Sequence, residues 1–366
     1  MSARGRVTVI DLDHERLSFV AGDVGARRVR VETSGSVARP AGIDAAKAQT
    51  LGAWVGECLK NAGVAGGGRV LVCVPRGNVV MKRLAFPGLA SHNDPDLVAM
   101  VRLQMTRQMP MKVEGTAIDF VPMGRVGAGG GGDGAGADGL GVAGAAGGAG
   151  EGPALEVLAC ALPGDRVEWC RSVAQAAGVK LGALSLRASG AATLLAQEGS
   201  SATGTVLGIS ISWSSVEFVV VRDGEIVFVR SADVALTPDV DASSESRAEV
   251  IQYAERVAVE AKRTWMAYRV SPGSSEVWSV VVVGGGPLAR EVADRCGRSL
   301  DLSASAAELP GFVEMVPAST DAASVALAPL VGLMVAHASD RPVFDFAHPR
   351  QAPDTGAGAR RAAPPP

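Results

Sequence analysis

The sequence predicts an α/β protein built from two similar lobes, and three observations carry that reading. A three-stranded meander, VTVIDLD, RLSFVAGD and RRVRVET, opens the first half, and a second, VLGISIS, VEFVVVRD and EIVFVRS, opens the second. Each meander is followed by helices and further strands. Late in the chain, WSVVVVGGGPLAREVADRCG gives an apolar strand, a glycine turn and a helix. Internal duplication of such a unit builds two lobes facing a cleft.

In the first half, β-branched apolar runs place strands at 6–12, 17–22 and 28–33. A helix follows at 45–62, then a buried strand, RVLVCVP, at 69–75 and another at 79–85. DPDLVAMVRLQMTRQM supplies a helix over 94–109, with Asp94 as its N-cap, Pro95 in the first turn and Pro110 as its stop. IDFVPM at 118–123 and ALEVLACAL at 154–162 both read as strands. Between them, fourteen of the 26 residues from Gly127 to Gly152 are glycine, a composition that cannot offset the entropy of ordering. The stretch 126–153 is therefore expected to be a disordered loop joining two neighbouring strands of one sheet.

After the insertion, a helix at 164–177 ends at Gly178, a strand occupies 180–186, and a helix runs over 187–197. TVLGISIS and SVEFVVVRD are strands, and Asp223-Gly224 turns the chain into IVFVRSA because it supplies positive φ at low cost. From Arg247 to Tyr268, apolar residues at 250, 254, 257, 261, 265 and 268 mark one buried helical face. The strand ending at Val283 leads through Gly284, Gly285 and Gly286 to a helix with Pro287 near its start and Gly297 after its end. SVALAPLVGLMVAHA at 324–338 reads as a buried helix or helix pair; it is shorter than the ~20 residues that span a bilayer and holds Pro329. The first lobe is expected over 1–200, with an inserted α+β subdomain at about 69–182, and the second over 204–350. The Pro-, Ala- and Arg-rich tail 351–366 is expected to be disordered.

With 35 basic and 38 acidic residues the net charge is −3, so no whole-molecule field favours nucleic acid or an anionic membrane. Cys58, Cys73, Cys160, Cys170 and Cys296 lie in apolar surroundings without a CxxC pair, which implies reduced, mostly buried thiols in a cytoplasmic protein. His14, His92, His337 and His348 lack metal-ligand spacing. No apolar signal core follows Arg4 and Arg6, so secretion is not expected.

Two places suggest phosphate chemistry. In VTVIDLDHERLS a strand ends at Asp11 with Asp13 two residues on, as phosphate-handling folds begin, but without the glycines such a loop needs. Gly284, Gly285 and Gly286 sit at a strand-to-helix junction, where exposed N–H groups attract phosphate; a tight structural turn is the competing reading. GGGPLA lacks the third glycine of GxGxxG, and no GxxxxGK[ST] loop is present.

Several longer blocks fall in a fixed order. VLVCVPRGNVVMKRLAFPGL and VRLQMTRQMPMKVEGTAIDFVPM give a strand pair, a helix, a proline turn and a strand. ALEVLACALPGDRVEWCRSVAQAAGVKLGALSL completes a small inserted unit, and GEIVFVRS, VEAKRTWMAY, VVVVGGGPLAREVADRCG and LAPLVGLMV follow. In this order they resemble the actin-like ATPase superfamily, and within it the type IV pilus assembly protein PilM and the related cytoplasmic part of type II secretion GspL. The resemblance covers the chain outside the glycine insertion and tail. It implies a two-lobed actin-like fold, a duplicated ribonuclease H-like unit, with VVVVGGGPLAREVADRCG as the adenosine turn.

Against that pattern, Asp13 stands where the first phosphate loop would have glycine, and Ser18 where PilM-like chains often have lysine. Ser210 and Ser212 replace the Asp and Gly of the second loop, so the Mg-organising carboxylate is missing. Phosphoryl transfer rests on neutralising phosphate charge, usually through Mg held by such carboxylates. The expectation is a pseudo-ATPase with no catalytic residues, no metal site and no required cofactor. Any residual contact with ATP and Mg falls to Asp11, Arg263, Gly284, Gly285 and Gly286, and Asp11 otherwise reads as a structural strand-end residue.

The resemblance further implies a cytoplasmic scaffold peripheral to the inner membrane, in a type IV pilus or type II secretion platform. Its expected partner is the N-terminal peptide of a PilN-like membrane protein, held in a groove beside the inserted subdomain, with homo-oligomers also allowed. The alternative is an active actin-like ATPase or sugar-kinase-like phosphotransferase. A polymerising division protein like FtsA would want an amphipathic C-terminal helix, whereas this sequence ends in GAGARRAAPPP. Residues 342–350, PVFDFAHPR, loosely resemble the "INLLP" peptide such grooves accept; they read either as a segment docking on its own or a neighbour's groove, or as a terminal strand or tether.

Overall fold

The computed structural model describes residues 5–13, 15–26, 28–64, 68–89, 91–109, 115–123, 154–197, 204–237, 247–316 and 321–351. The loop 126–153, Pro110, His14 and the tail from 352 lie outside these residues.

The duplication read from the two meanders is realised strand for strand. In the first half, β1 (Gly5–Leu12), β2 (Arg16–Gly25) and β3 (Arg28–Ala38) form an antiparallel meander. After α1 (Ala48–Asn61), β4 (Arg69–Val74) joins β1 in parallel, and β8 (Leu181–Leu186) joins β4 in parallel. In the second half, β9 (Thr205–Ile211), β10 (Val216–Arg222) and β11 (Glu225–Ala232) repeat the meander. There β12 (Val277–Val283) joins β9 in parallel and β13 (Ser303–Ala307) joins β12. The strand orders β3-β2-β1-β4-β8 and β11-β10-β9-β12-β13 match, and the first sheet gains β14 (Val313–Met315), parallel to β3.

The match extends into the hairpins. Leu12 faces Leu17 and Ile211 faces Val216 at the ends of the two ladders. Across each four-residue loop the same bond forms, Asp13 N–H to the Arg16 carbonyl at 3.0 Å and Ser212 N–H to the Ser215 carbonyl at 2.9 Å. Asp13 and Ser212 are therefore equivalent positions, as are Asp11 and Ser210.

A third sheet, β5-β7-β6, interrupts the first half: β5 (Val80–Phe86), β6 (Ala117–Met123) and β7 (Leu155–Leu162), with α2 (Leu97–Gln108) against it. β6 and β7 are antiparallel neighbours, so the glycine-rich stretch joins adjacent strands of one sheet. The sheet has its own small core of Leu84, Phe86, Leu97, Val101, Met105 and Phe120. The strand at 69–74, where the sequence puts the start of the inserted part, and the strand at 181–186 instead belong to the six-stranded sheet. α3 (Gly164–Ala176) leads back to β8 and packs on α1.

The lobes meet through two buried helices, α4 (Arg187–Gln197) and α7 (Asp321–Ala338), and α7 touches strands of both sheets. Both are apolar nearly all round, as a helix enclosed on every side must be. They meet backbone to backbone: a Cβ on Gly190 would lie 2.0 Å from the Pro329 carbonyl oxygen, and one on Gly332 2.1 Å from that of Gly190. The segment 324–338 is thus part of one helix with Pro329 inside it.

Three boundaries depart from the sequence reading. α2 starts at Leu97 with Asp96 at the N-cap position, while Asp94 accepts the Asp96 N–H at 3.0 Å within the preceding turn. Gly297 lies inside α6 (Pro287–Leu300), not beyond it; a Cβ there would come within 2.7 Å of Ala304 Cβ, so the glycine lets β13 approach. β13 and β14, short and weakly patterned, escape the periodicity altogether. α5 (Arg247–Arg269) buries Ala254, Val257, Ala261 and Tyr268 as the spacing requires. All five cysteines are free and only Cys58 is less than buried; burial pushes the Cys170 thiol up to about 11 and the Cys296 thiol up to about 12.

Candidate functional site

The two equivalent hairpins face each other across the lobes, and the residues at their tips bind one another. Asp11, the next-to-last residue of β1, is 3 % exposed. Its carboxylate pairs with Arg187, Oδ2 lying 2.9 Å from Nε, and Oδ1 accepts a hydrogen bond from Arg187 Nη2 at 3.3 Å. Arg187 is the first residue of α4, directly after β8, and is 1 % exposed. The far side of its guanidinium donates to Ser212 Oγ at 2.5 Å and Ser215 Oγ at 3.3 Å on the second hairpin. Ser212 Oγ in turn donates to the Ser215 carbonyl at 2.8 Å. One guanidinium thus joins the first hairpin, the start of α4 and the second hairpin.

Asp13 completes the bridge by accepting the Ser214 N–H at 2.8 Å. Trp213 reaches the other way, its Nε1 donating to Ser18 Oγ at 3.1 Å, and the Arg16 guanidinium lies 4.3 Å over its ring. Glu217 on β10 is fully buried; one oxygen accepts the Arg76 N–H at 2.7 Å, and the other has no protein partner among the described residues. Buried charges of this kind persist only when paired and hydrogen-bonded.

Electrostatics follow from that burial. Removal from water pushes Asp11 up to about 6, against the opposing pull of Arg187. Burial would depress Arg187, but the Asp11 and Glu217 charges outweigh it and hold its pKa above the ordinary arginine value. The guanidinium is a permanent internal cation.

The bridge forms a shared wall of two clefts. One, of about 570 Å³, lies beside Asp13, Asn78, Arg166, Trp169, Ser214 and Asp233. The other, of about 590 Å³, lies beside Arg16, Arg39, Trp213 and Leu236.

These residues do not suit a Mg-bound triphosphate. The strand-end carboxylate that would face the metal is held by Arg187, the Ser212 and Ser215 hydroxyls are turned to the same guanidinium, and Asp13 is tied to the Ser214 backbone. Among the described residues no group of three or more His, Cys, Asp and Glu side chains is arranged to hold a metal.

The glycine turn is a separate place. Gly284 and Gly286 have φ of 103° and 102°, a conformation that L side chains rarely adopt, and a Cβ on Gly284 would lie 3.2 Å from Val325 Cα in α7. The Gly284 N–H is used by the Ala307 carbonyl at 3.0 Å, so part of this turn serves to close strand against helix. Gly285 borders a cleft of about 730 Å³ together with Arg290, Asp294, Arg298, Asp301 and Glu308, a lining with three acids and two bases. Arg263 projects from α5, two-thirds exposed and paired with Glu260 at 2.5 Å, and does not border that cleft. Of the five residues singled out from the sequence, the three glycines stand together, while Asp11 lies in the bridge and Arg263 at the surface.

Sequence reasoning missed Arg187, the residue on which the bridge turns. Its only signal was a charge at the start of the otherwise apolar helix RASGAATLLAQ. Trp213 and Glu217 were equally silent, because their partners Ser18 and Arg76 lie 195 and 141 positions away in sequence; Ser212 was singled out, but not its bond to Arg187.

No protein-family model matches the sequence, and no curated protein matches it. Solved structures do. A PilM–PilN type IV pilus biogenesis complex is 17 % identical, with 92 % of this chain and 99 % of that chain covered and a TM-score of 0.67. The cytoplasmic domain of EpsL, an inner-membrane component of the type II secretion system of Vibrio cholerae, is 10 % identical over 94 % of this chain and 98 % of that one, with a TM-score of 0.46. The ethanolamine utilization protein EutJ from Carboxydothermus hydrogenoformans is 11 % identical over 90 % and 89 %, with a TM-score of 0.45. The likeness at 0.67 establishes the fold: the chain has the two-lobed actin-like architecture that the resemblance implied.

Proposed function

We propose that this chain is a non-catalytic, PilM-like scaffold that docks the N-terminal peptide of a PilN-like protein at the inner membrane, in a type IV pilus or type II secretion platform. The observation that carries the reading is Arg187: a buried guanidinium, held by Asp11 and by Ser212 and Ser215 of the second hairpin, neutralises the strand-end carboxylate that a phosphate-bound Mg would need. A protein whose lobes are tied at that point keeps the actin-like frame as a rigid body for partners. The likeness to the PilM–PilN complex supports the class of partner. Among the described residues no helix is long and apolar enough to cross a membrane, so on this reading the membrane is reached through the partner.

Two measurements on the full chain test it. ATP with Mg is expected to give no turnover above background and no rise in melting temperature, since a ligand that binds only the native state must raise it. A neighbouring single-span membrane protein with a short cytoplasmic N-terminus is expected to co-purify. Mg-dependent hydrolysis abolished by Asp11→Ala would overturn the non-catalytic reading in favour of an active ATPase.

A further inference from the structure

Beyond α7 the chain turns at Asp340, where φ is 51°, and runs back over the first lobe. Arg341 donates to the Gly224 carbonyl at this exit. Residues 342–350 form no strand and no helix, yet they are held more tightly than a surface tail. Phe344 and Phe346 are buried, their rings stacked 6.0 Å apart between centroids. The Phe346 N–H donates to the Leu184 carbonyl at 2.8 Å, and the Leu184 N–H donates to Asp345 Oδ1 at 3.2 Å. β8, which carries Leu184, is the last strand of its sheet, so this strap takes up the polar groups of an open edge.

The other wall is the inserted sheet. Asp119 on β6 is 1 % exposed and is satisfied by the strap. Its oxygens accept the Asp345 N–H at 2.8 Å, the Arg350 N–H at 3.1 Å and Arg350 Nη1 at 2.8 Å to each oxygen. The Arg350 guanidinium also lies 5.4 Å over the Phe120 ring. Arg102 and Arg171, on α2 and α3, donate to the Arg350 and Ala347 carbonyls at 3.3 and 3.5 Å. Most of these bonds go to the strap's backbone; its side chains contribute two apolar anchors, one acid and one cation.

We propose that residues 342–350, lying between β8 and β6, are a built-in occupant of the groove in which the scaffold reading seats a partner's peptide, and that the partner's segment must displace them. This deepens the scaffold reading and rests on it. The strap itself states what fits: an extended segment with apolar side chains two residues apart and a cation four residues after the second. The cation is required because Asp119, stripped of Arg350, would be an unpaired charge in an apolar setting. An empty groove is disfavoured, so the strap leaves only when another segment brings its own cation. Tethered in cis, the strap competes at an effective concentration on the order of millimolar, which sets the threshold a partner must exceed.

The test uses full chains and a fluorescein-labelled peptide, RPVFDFAHPRQ, followed by anisotropy. Arg350→Ala in the chain is expected to raise affinity for the labelled peptide about tenfold over the unaltered chain by weakening the cis competitor. Asp119→Asn and a peptide with its final Arg replaced by Ala are each expected to abolish binding. Equal affinity of the unaltered and Arg350→Ala chains, both folded by circular dichroism, overturns the proposal. If Arg350→Ala does not fold, a protease site inserted between Asp340 and Arg341 and cut after folding replaces it; the cut strap should exchange for labelled peptide, and failure to exchange under excess overturns the proposal. Equal co-purification of a membrane protein with the unaltered and Arg350→Ala chains would sink the strap as competitor while leaving the scaffold reading intact. Peptide exchange with no membrane partner would do the reverse.

Discussion

Arg187 and Asp11 are worth more as a pair than either is alone. Removing a single partner leaves a charge with no access to water, and such losses cost about 3–5 kcal/mol, whereas replacing both by apolar groups of similar volume is often near neutral. Arg187→Ala is therefore expected to lower unfolding free energy by about 3–5 kcal/mol, and Asp11→Leu with Arg187→Met to recover most of that loss. Urea denaturation of the four members of the cycle measures it; additive losses would mean that the two side chains do not act as a unit. The carboxylates at 11 and 13 both have structural partners: one neutralises a buried guanidinium and the other holds the Ser214 N–H of the opposite hairpin.

At the scale of elements, the crossing of α4 and α7 joins the lobes, and it depends on two residues without side chains. Gly190 and Gly332 allow a backbone approach that any Cβ would block, with the nearest atoms being main-chain oxygens that cannot rotate aside. Gly332→Ala is expected to destabilise by about 1–3 kcal/mol through overpacking, despite alanine's better helix propensity. Thermal unfolding reads the effect, and a melting temperature at or above that of the unaltered chain would show that the helices can separate freely. Gly297 makes the same point within one lobe: it sits inside α6 to admit β13, although a glycine near the end of an amphipathic run reads from sequence as the residue that stops the helix.

For the whole molecule, the two lobes share one continuous hydrophobic core, and α4, α7 and the hairpin bridge all cross between them. A single cooperative unfolding transition is expected, with calorimetric and van't Hoff enthalpies in agreement; two resolved transitions would show lobes that fold independently. The sequence by itself determined the lobes, because alternation of apolar and polar residues fixes strands locally and a repeated meander fixes a repeated sheet. It also determined that β6 and β7 are neighbours across the glycine-rich stretch and that α5 presents one buried face. Of the site it marked Asp11, Asp13 and Ser212 but none of their partners. Arg187, Ser212, Trp213 and Glu217 acquire meaning only when hairpins about two hundred residues apart are brought tip to tip, and no local pattern records that approach. Tertiary structure alone decided that β14 crosses back to the first sheet, that Asp11 faces a guanidinium and that residues 342–350 lie along an open strand edge. The physical reason is the same throughout: periodicity encodes which face of an element is buried, whereas the partner of a buried charge or of an unpaired edge is chosen by the packing of the whole chain.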